Sequence, residues 1–137
     1  MNSQIVQETV NTSQARRSAA NTTLQTLSAN FTARLYTSIS GNAASPHIAD
    51  LVAPTFAGYA PLANLTWRGP KLTGDAESPH YVLDAELSWI ATGNSTSDAV
   101  TGVAICDSTM VVSFAEIDAV TANVKDEDVT ILYELLF

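Results

Sequence analysis

The chain has 137 residues, enough to bury a core without disulfide staples, and one domain is expected. Six basic residues against fourteen acidic ones give a net charge of −8, which repels phosphate backbones and anionic membrane surfaces, so neither nucleic acid nor membrane is an expected partner. Charged residues make up only 15% of the chain, so a surface of Ser, Thr, Asn and Ala can serve either as a protein-binding face or as the hydroxyl-rich exterior of a solvated β-protein.

Residues 1–29 contain neither Pro nor Gly, and their only large aliphatics are Ile5, Val6, Val10, Leu24 and Leu27. That is too little to form a core, and the stretch reads as an N-terminal arm. Ala15–Ala20 has helical composition, and one short helix is expected near Thr22–Ala29, weakened by its Thr, Asn and Ser. Arg16 and Arg17 are two of the six cations, and are the candidate partner-binding residues, because a guanidinium fork matches a carboxylate. Met1-Asn2-Ser3-Gln4 has no basic n-region and no apolar h-region, so no signal peptide and synthesis in a cytosol are expected. No run reaches the roughly 18 apolar residues of a membrane span.

From Asn30 the pattern turns to strands. Phe31, Ala33, Leu35 and Thr37 alternate with Thr32, Arg34, Tyr36 and Ser38, a period of two. Gly41–Pro46 is a loop. Ile48–Val52 predicts one helical turn, stopped by Pro54. Gly58–Trp67 is an extended run that Pro61 confines to a sheet edge or a bulge. Arg68-Gly69-Pro70 predicts a chain reversal. His80–Ala91 is the longest strand expected, with Tyr81, Leu83, Ala85, Leu87 and Trp89 on its apolar face and Asp84, Glu86 and Ser88 on the other.

The organising stretch follows. Val100–Cys106 alternates Val103 and Ile105 with the small residues Gly102, Ala104 and Cys106, as in a strand packed closely on both faces. Asp107-Ser108-Thr109 predicts a turn and Met110–Glu116 the returning strand. Lys125–Asp128 reads as a charged turn and Val129–Phe137 as a final strand. Seven or eight short strands make an all-β, antiparallel β-sandwich, jelly-roll-like or Ig-like, over residues 30–137.

No pattern of catalysis emerges, and an enzyme is not expected. Cys106, His80 and Asp107 assemble into a triad only on paper. The thiol sits in an apolar run without a nearby cation, where free Cys behaves as a small buried hydrophobe. His47 and His80 have no ligand spacing, and Asp126-Glu127-Asp128 lacks the alternating donors and central Gly of a calcium loop, so neither metal nor cofactor is expected. Asp84 and Glu86 share a strand face as a solvated pair would. Five sequons, at Asn11, Asn21, Asn30, Asn64 and Asn94, are what an Asn-, Ser- and Thr-rich chain makes by chance. Tyr59, Trp67, Tyr81 and Trp89 are the residues of a sugar-stacking platform or, alternatively, core anchors.

Leu35-Tyr36-Thr37, Gly58-Tyr59-Ala60, Trp67, a long strand ending Ala91-Thr92-Gly93, Thr101-Gly102…Asp107 and Phe114-Ala115-Glu116 occur in an order that resembles a family of small tailed-bacteriophage virion proteins. The resemblance spans about residues 30–137. Val103-Ala104 stands where that family usually has aromatics. The resemblance implies a capsid cement or decoration protein, made in the host cytoplasm and located in the virion. Its partners would be the major capsid protein or other virion proteins, and homo-oligomers are expected. The alternative it leaves is a carbohydrate-binding receptor module of a head or tail fibre.

Overall fold

The computed structural model describes residues 17–22, 31–74 and 79–137. Residues 17–22 are helical. The strands among the described residues are β1 (Thr32–Tyr36), β2 (Ser38–Ile39), β3 (Leu51–Val52), β4 (Arg68–Gly74), β5 (Pro79–Ile90), β6 (Val100–Cys106), β7 (Val111–Val120) and β8 (Asp128–Leu136). They form sheets of order β1-β6-β7, β2-β3 and β4-β5-β8, none closed into a barrel. The fold is all-β and sandwich-like with a small helix, as the strand periodicity predicts.

Two compact units make up the chain. One includes Asn30–Leu65 and Leu87–Ile131, the other Thr66–Glu86 and Leu132–Phe137. The boundary expected between residues 29 and 30 falls among residues outside those described. So do Arg16 and all but the first residue of the helix expected over Thr22–Ala29; the helical residues are those around Arg17.

In the first unit β6 is central, pairing antiparallel with β1 and β7. Its two faces differ in kind. Val103 and Ile105 are fully buried on one, where their partners Leu35 and Ala33 on β1 are also shielded from solvent. Gly102, Ala104 and Cys106 occupy the other, because the chain folds back across it. Ile39, Ile48 and Leu51 pack on Tyr36, Ala104 and Cys106 together with Val111 and Phe114. Tyr36 lies opposite Gly102, and a Cβ at that glycine would run into the phenol ring. Small residues on β6 thus give the covering segment its room. That segment begins with a 3₁₀ turn at Ile48–Asp50, where a helical turn was expected, and passes directly into β3.

The outer edge of β1 is sealed. Ala33 and Leu62 exchange both backbone hydrogen bonds at 2.9 Å. The Leu35 amide donates to the Tyr59 hydroxyl at 3.0 Å. The Thr37 amide donates to the Val52 carbonyl at 2.8 Å. Gly58–Trp67, expected as an extended run at a sheet edge or a bulge, meets the edge of β1 at a single bridge, Ala33–Leu62, immediately after Pro61. Trp89, 4% exposed, donates its indole N–H to the Ala60 carbonyl at 2.9 Å and ties this loop to β5.

In the second unit, Arg68-Gly69-Pro70 does not reverse the chain but opens β4. The pairing with β5 shifts register between Arg68 and Lys71. Gly69 takes φ +112°, a left-handed conformation, and the Val82 carbonyl leaves no room for a Cβ there. The following Pro70 has no N–H to give the ladder, so the strand absorbs the irregularity and continues. Leu83 and Ala85 are buried on the apolar face of β5 as expected, while Val82 is buried as well. Trp67 meets Tyr133 edge-on at 6.3 Å.

Candidate functional site

The chemistry considered from sequence resolves into structural roles. Cys106 is buried on β6, and burial pushes its thiol up, the opposite of what a nucleophile needs. Asp107 Oδ1 accepts the Thr109 and Met110 amides at 2.7 Å each and the Thr109 hydroxyl at 3.0 Å, so it builds the β6–β7 turn. Asp84 faces Arg68 at 2.6 Å across the β4–β5 ladder. The Glu127 carboxylate accepts the Val124 amide, and that of Asp128 accepts the Thr130 hydroxyl, so the acidic turn spends its oxygens on itself. The His47 amide donates to Asp50 at the 3₁₀ turn, and His80 lies opposite Thr73 in the β4–β5 ladder. Among the described residues no group of three His, Cys, Asp or Glu is placed to hold a metal ion.

Three of the four aromatics, Tyr59, Trp67 and Trp89, also have structural work. Trp67 and Trp89 are 7% and 4% exposed and offer no open ring face. Tyr59 stacks edge-on against Phe56 at 5.3 Å while its hydroxyl both accepts from and donates to the Leu35 backbone. Burial raises the Tyr59 phenol above its ordinary value. Arg17 is exposed.

One accessible feature of the first unit lies along β7. Among the described residues this ten-residue strand has a strand neighbour on one side only, β6. Its first half, Val111–Ala115, carries no charge, and Val112 is 48% exposed beside Met110 at 55%. Glu116 and Asp118 place carboxylates on the second half. Beyond them an open groove of about 460 Å³ runs between the end of β7 and the start of β8, lined by Ile117, Val120, Val129 and Ile131 with Asp118 and Asp128 at its polar positions. An uncharged edge is a template for another chain, and proteins usually cover, charge or bulge it. The pairing of β7 with β6 shifts register at two places, between Val111 and Ser113 and between Glu116 and Val120. Among the described residues β1 is covered, and no strand lies outside β7.

Asn123, which the sequence does not single out, fixes the loop after β5. Its Oδ1 accepts the Ser97 amide at 2.8 Å and the Ser95 hydroxyl at 3.1 Å, and its Nδ2 donates to the Ser97 carbonyl at 2.9 Å. Turn residues of this type are common, and only the returning chain reveals which Asn closes which loop.

Compared with protein-family models, curated proteins and solved structures, the chain gives no match.

Proposed function

We propose that this chain is a structural protein of a tailed-bacteriophage virion, a cement or decoration protein that binds the outer surface of the head and stabilises it. The observation that carries the reading is the β7 edge, uncharged over Val111–Ala115 and bordered by exposed Met110 and Val112. The order of short motifs over residues 30–137 that resembles small virion proteins supports it, and so does the low density of charge. An added strand from a capsid subunit or a second copy would extend the β1-β6-β7 sheet through main-chain hydrogen bonds, with Val112 and Met110 supplying apolar contact. Several copies around a symmetry axis would convert modest single contacts into strong attachment.

Co-sedimentation tests this. Purified chain mixed with capsids stripped of it is expected to pellet with them to saturation. A chain that stays in the supernatant at every concentration contradicts the reading.

A further inference from the structure

Where β1 ends, the chain leaves β6. Tyr36 still pairs with Gly102, but the residues after it turn into β2, which pairs with β3 instead. β7 meanwhile runs on past Glu116 to Val120. An open groove of about 420 Å³ lies where the strands part. Tyr36 and Thr37–Ile39 line it from the β1–β2 side, Thr101 from β6, and Glu116 and Ile117 from β7. All of these residues belong to the first unit.

The polar side chains of this groove are mostly of one kind. The Tyr36 hydroxyl donates to the Ala115 carbonyl at 3.3 Å, the Thr37 hydroxyl to the Val52 carbonyl at 3.3 Å, and the Thr101 hydroxyl to the Thr37 carbonyl at 3.0 Å. A hydroxyl has one proton, so these three offer a ligand only lone pairs. Glu116 adds a carboxylate, which also only accepts. No Lys, Arg or His lines the groove, and among the described residues no cation pairs with Glu116. The Ser38 hydroxyl is the remaining side-chain donor.

A surface of acceptors bearing a negative charge suits a ligand of donors bearing a positive one, and repels carboxylates and phosphates. A guanidinium is a flat fork matched to a single carboxylate, whereas an ammonium has three donors around one centre. The acceptors here come from three places in the sheet, which favours the ammonium. Ile39 and Ile117 give an alkyl stem apolar surface to lie on while its charged head stays among the oxygens. A cavity of about 150 Å³ holds benzene, so a four-carbon stem fits this groove with room for water.

We propose that the groove is a binding site for a primary ammonium on an alkyl stem, carried either by a free amine or by a lysine side chain of a partner protein. The site lies apart from the uncharged Val111–Ala115 edge and does not rest on a place in a virion.

Butylammonium chloride is the probe at neutral pH, with n-butanol and sodium chloride as controls, on the full chain. Butylammonium is expected to shift the Ser38, Thr101 and Ile117 amide resonances saturably, and neither control is. Glu116→Gln keeps the size of the side chain and removes its charge. It is expected to weaken butylammonium binding about fivefold, the share an exposed ion pair supplies, and to melt as the wild type does because the side chain is exposed. Lysine capped as an N-acetyl methylamide separates the sources. Saturable binding of capped lysine at least as tight as that of butylammonium assigns the site to a protein side chain. Capped lysine that binds more weakly or not at all, while butylammonium saturates, assigns it to a free amine. No saturable shift with butylammonium, an equal response to n-butanol, or a Glu116→Gln protein that binds butylammonium as the wild type does would overturn the proposal.

Discussion

Single residues carry much of the fold. Trp89 is buried, and its indole N–H is the link between β5 and the Ala60 carbonyl. Trp89→Ala removes a large buried ring and orphans that carbonyl. A loss of about 3–5 kcal/mol is expected in urea denaturation, typical of a large-to-small core substitution. Asp107 gives a pH-dependent contribution. The Thr109 amide, then the Met110 amide, hold its carboxyl below the ordinary carboxylate value. A carboxylate depressed on folding adds stability above its unfolded pKa, and that stability is lost as pH falls through the folded one. Asp107→Ala should therefore melt lower than wild type at neutral pH. The gap should narrow as pH drops below about 4, the ordinary value for Asp. A gap that stays constant down to about pH 2 would show that the charge plays no part. Trp89 was legible in the sequence, because it shares period-two spacing with Leu83, Ala85 and Leu87. Arg34 was not. Alternation on β1 puts it with Thr32, Tyr36 and Ser38, and only the return of Ile48 and Leu51 across that face, 14 and 17 residues further along the chain, shows that the face is covered.

At the scale of the element, the two edges of the β1-β6-β7 sheet are handled differently. β1 is closed by Leu62, by the Tyr59 hydroxyl and by Val52. β7 relies on Glu116 and Asp118, which guard only its second half. A lysine on an edge strand discourages strand addition. Val112→Lys should change stability by no more than about 0.5 kcal/mol, since the side chain is half exposed, and should abolish co-sedimentation with capsids. Retained pelleting would move the binding surface away from β7. The hairpin itself was legible from β-branched residues, small residues and an Asp-Ser-Thr turn. The chain reversal expected at Arg68-Gly69-Pro70 was not what formed. Gly and Pro mark a backbone irregularity as readily as a turn, and here the pairing partner on β5 decides between them.

For the molecule as a whole, composition bounds the account more than it directs it. A net charge of −8 disfavours contact with phosphate backbones. The all-β architecture was readable because most strands carry their own periodicity. The division into two units was not, since β5 and β8 run from one into the other without a break in pattern. The open side of β7 was equally hidden, because it depends on where the other described strands lie. The central claim is that the chain is a capsid-bound structural protein, and copy number tests it most directly. If the proposal holds, quantitative mass spectrometry of purified particles of a phage that carries this gene, read against the major capsid protein, is expected to find hundreds of copies per particle. A handful of copies would indicate a fibre-borne receptor module instead, and absence from the particle would contradict the account.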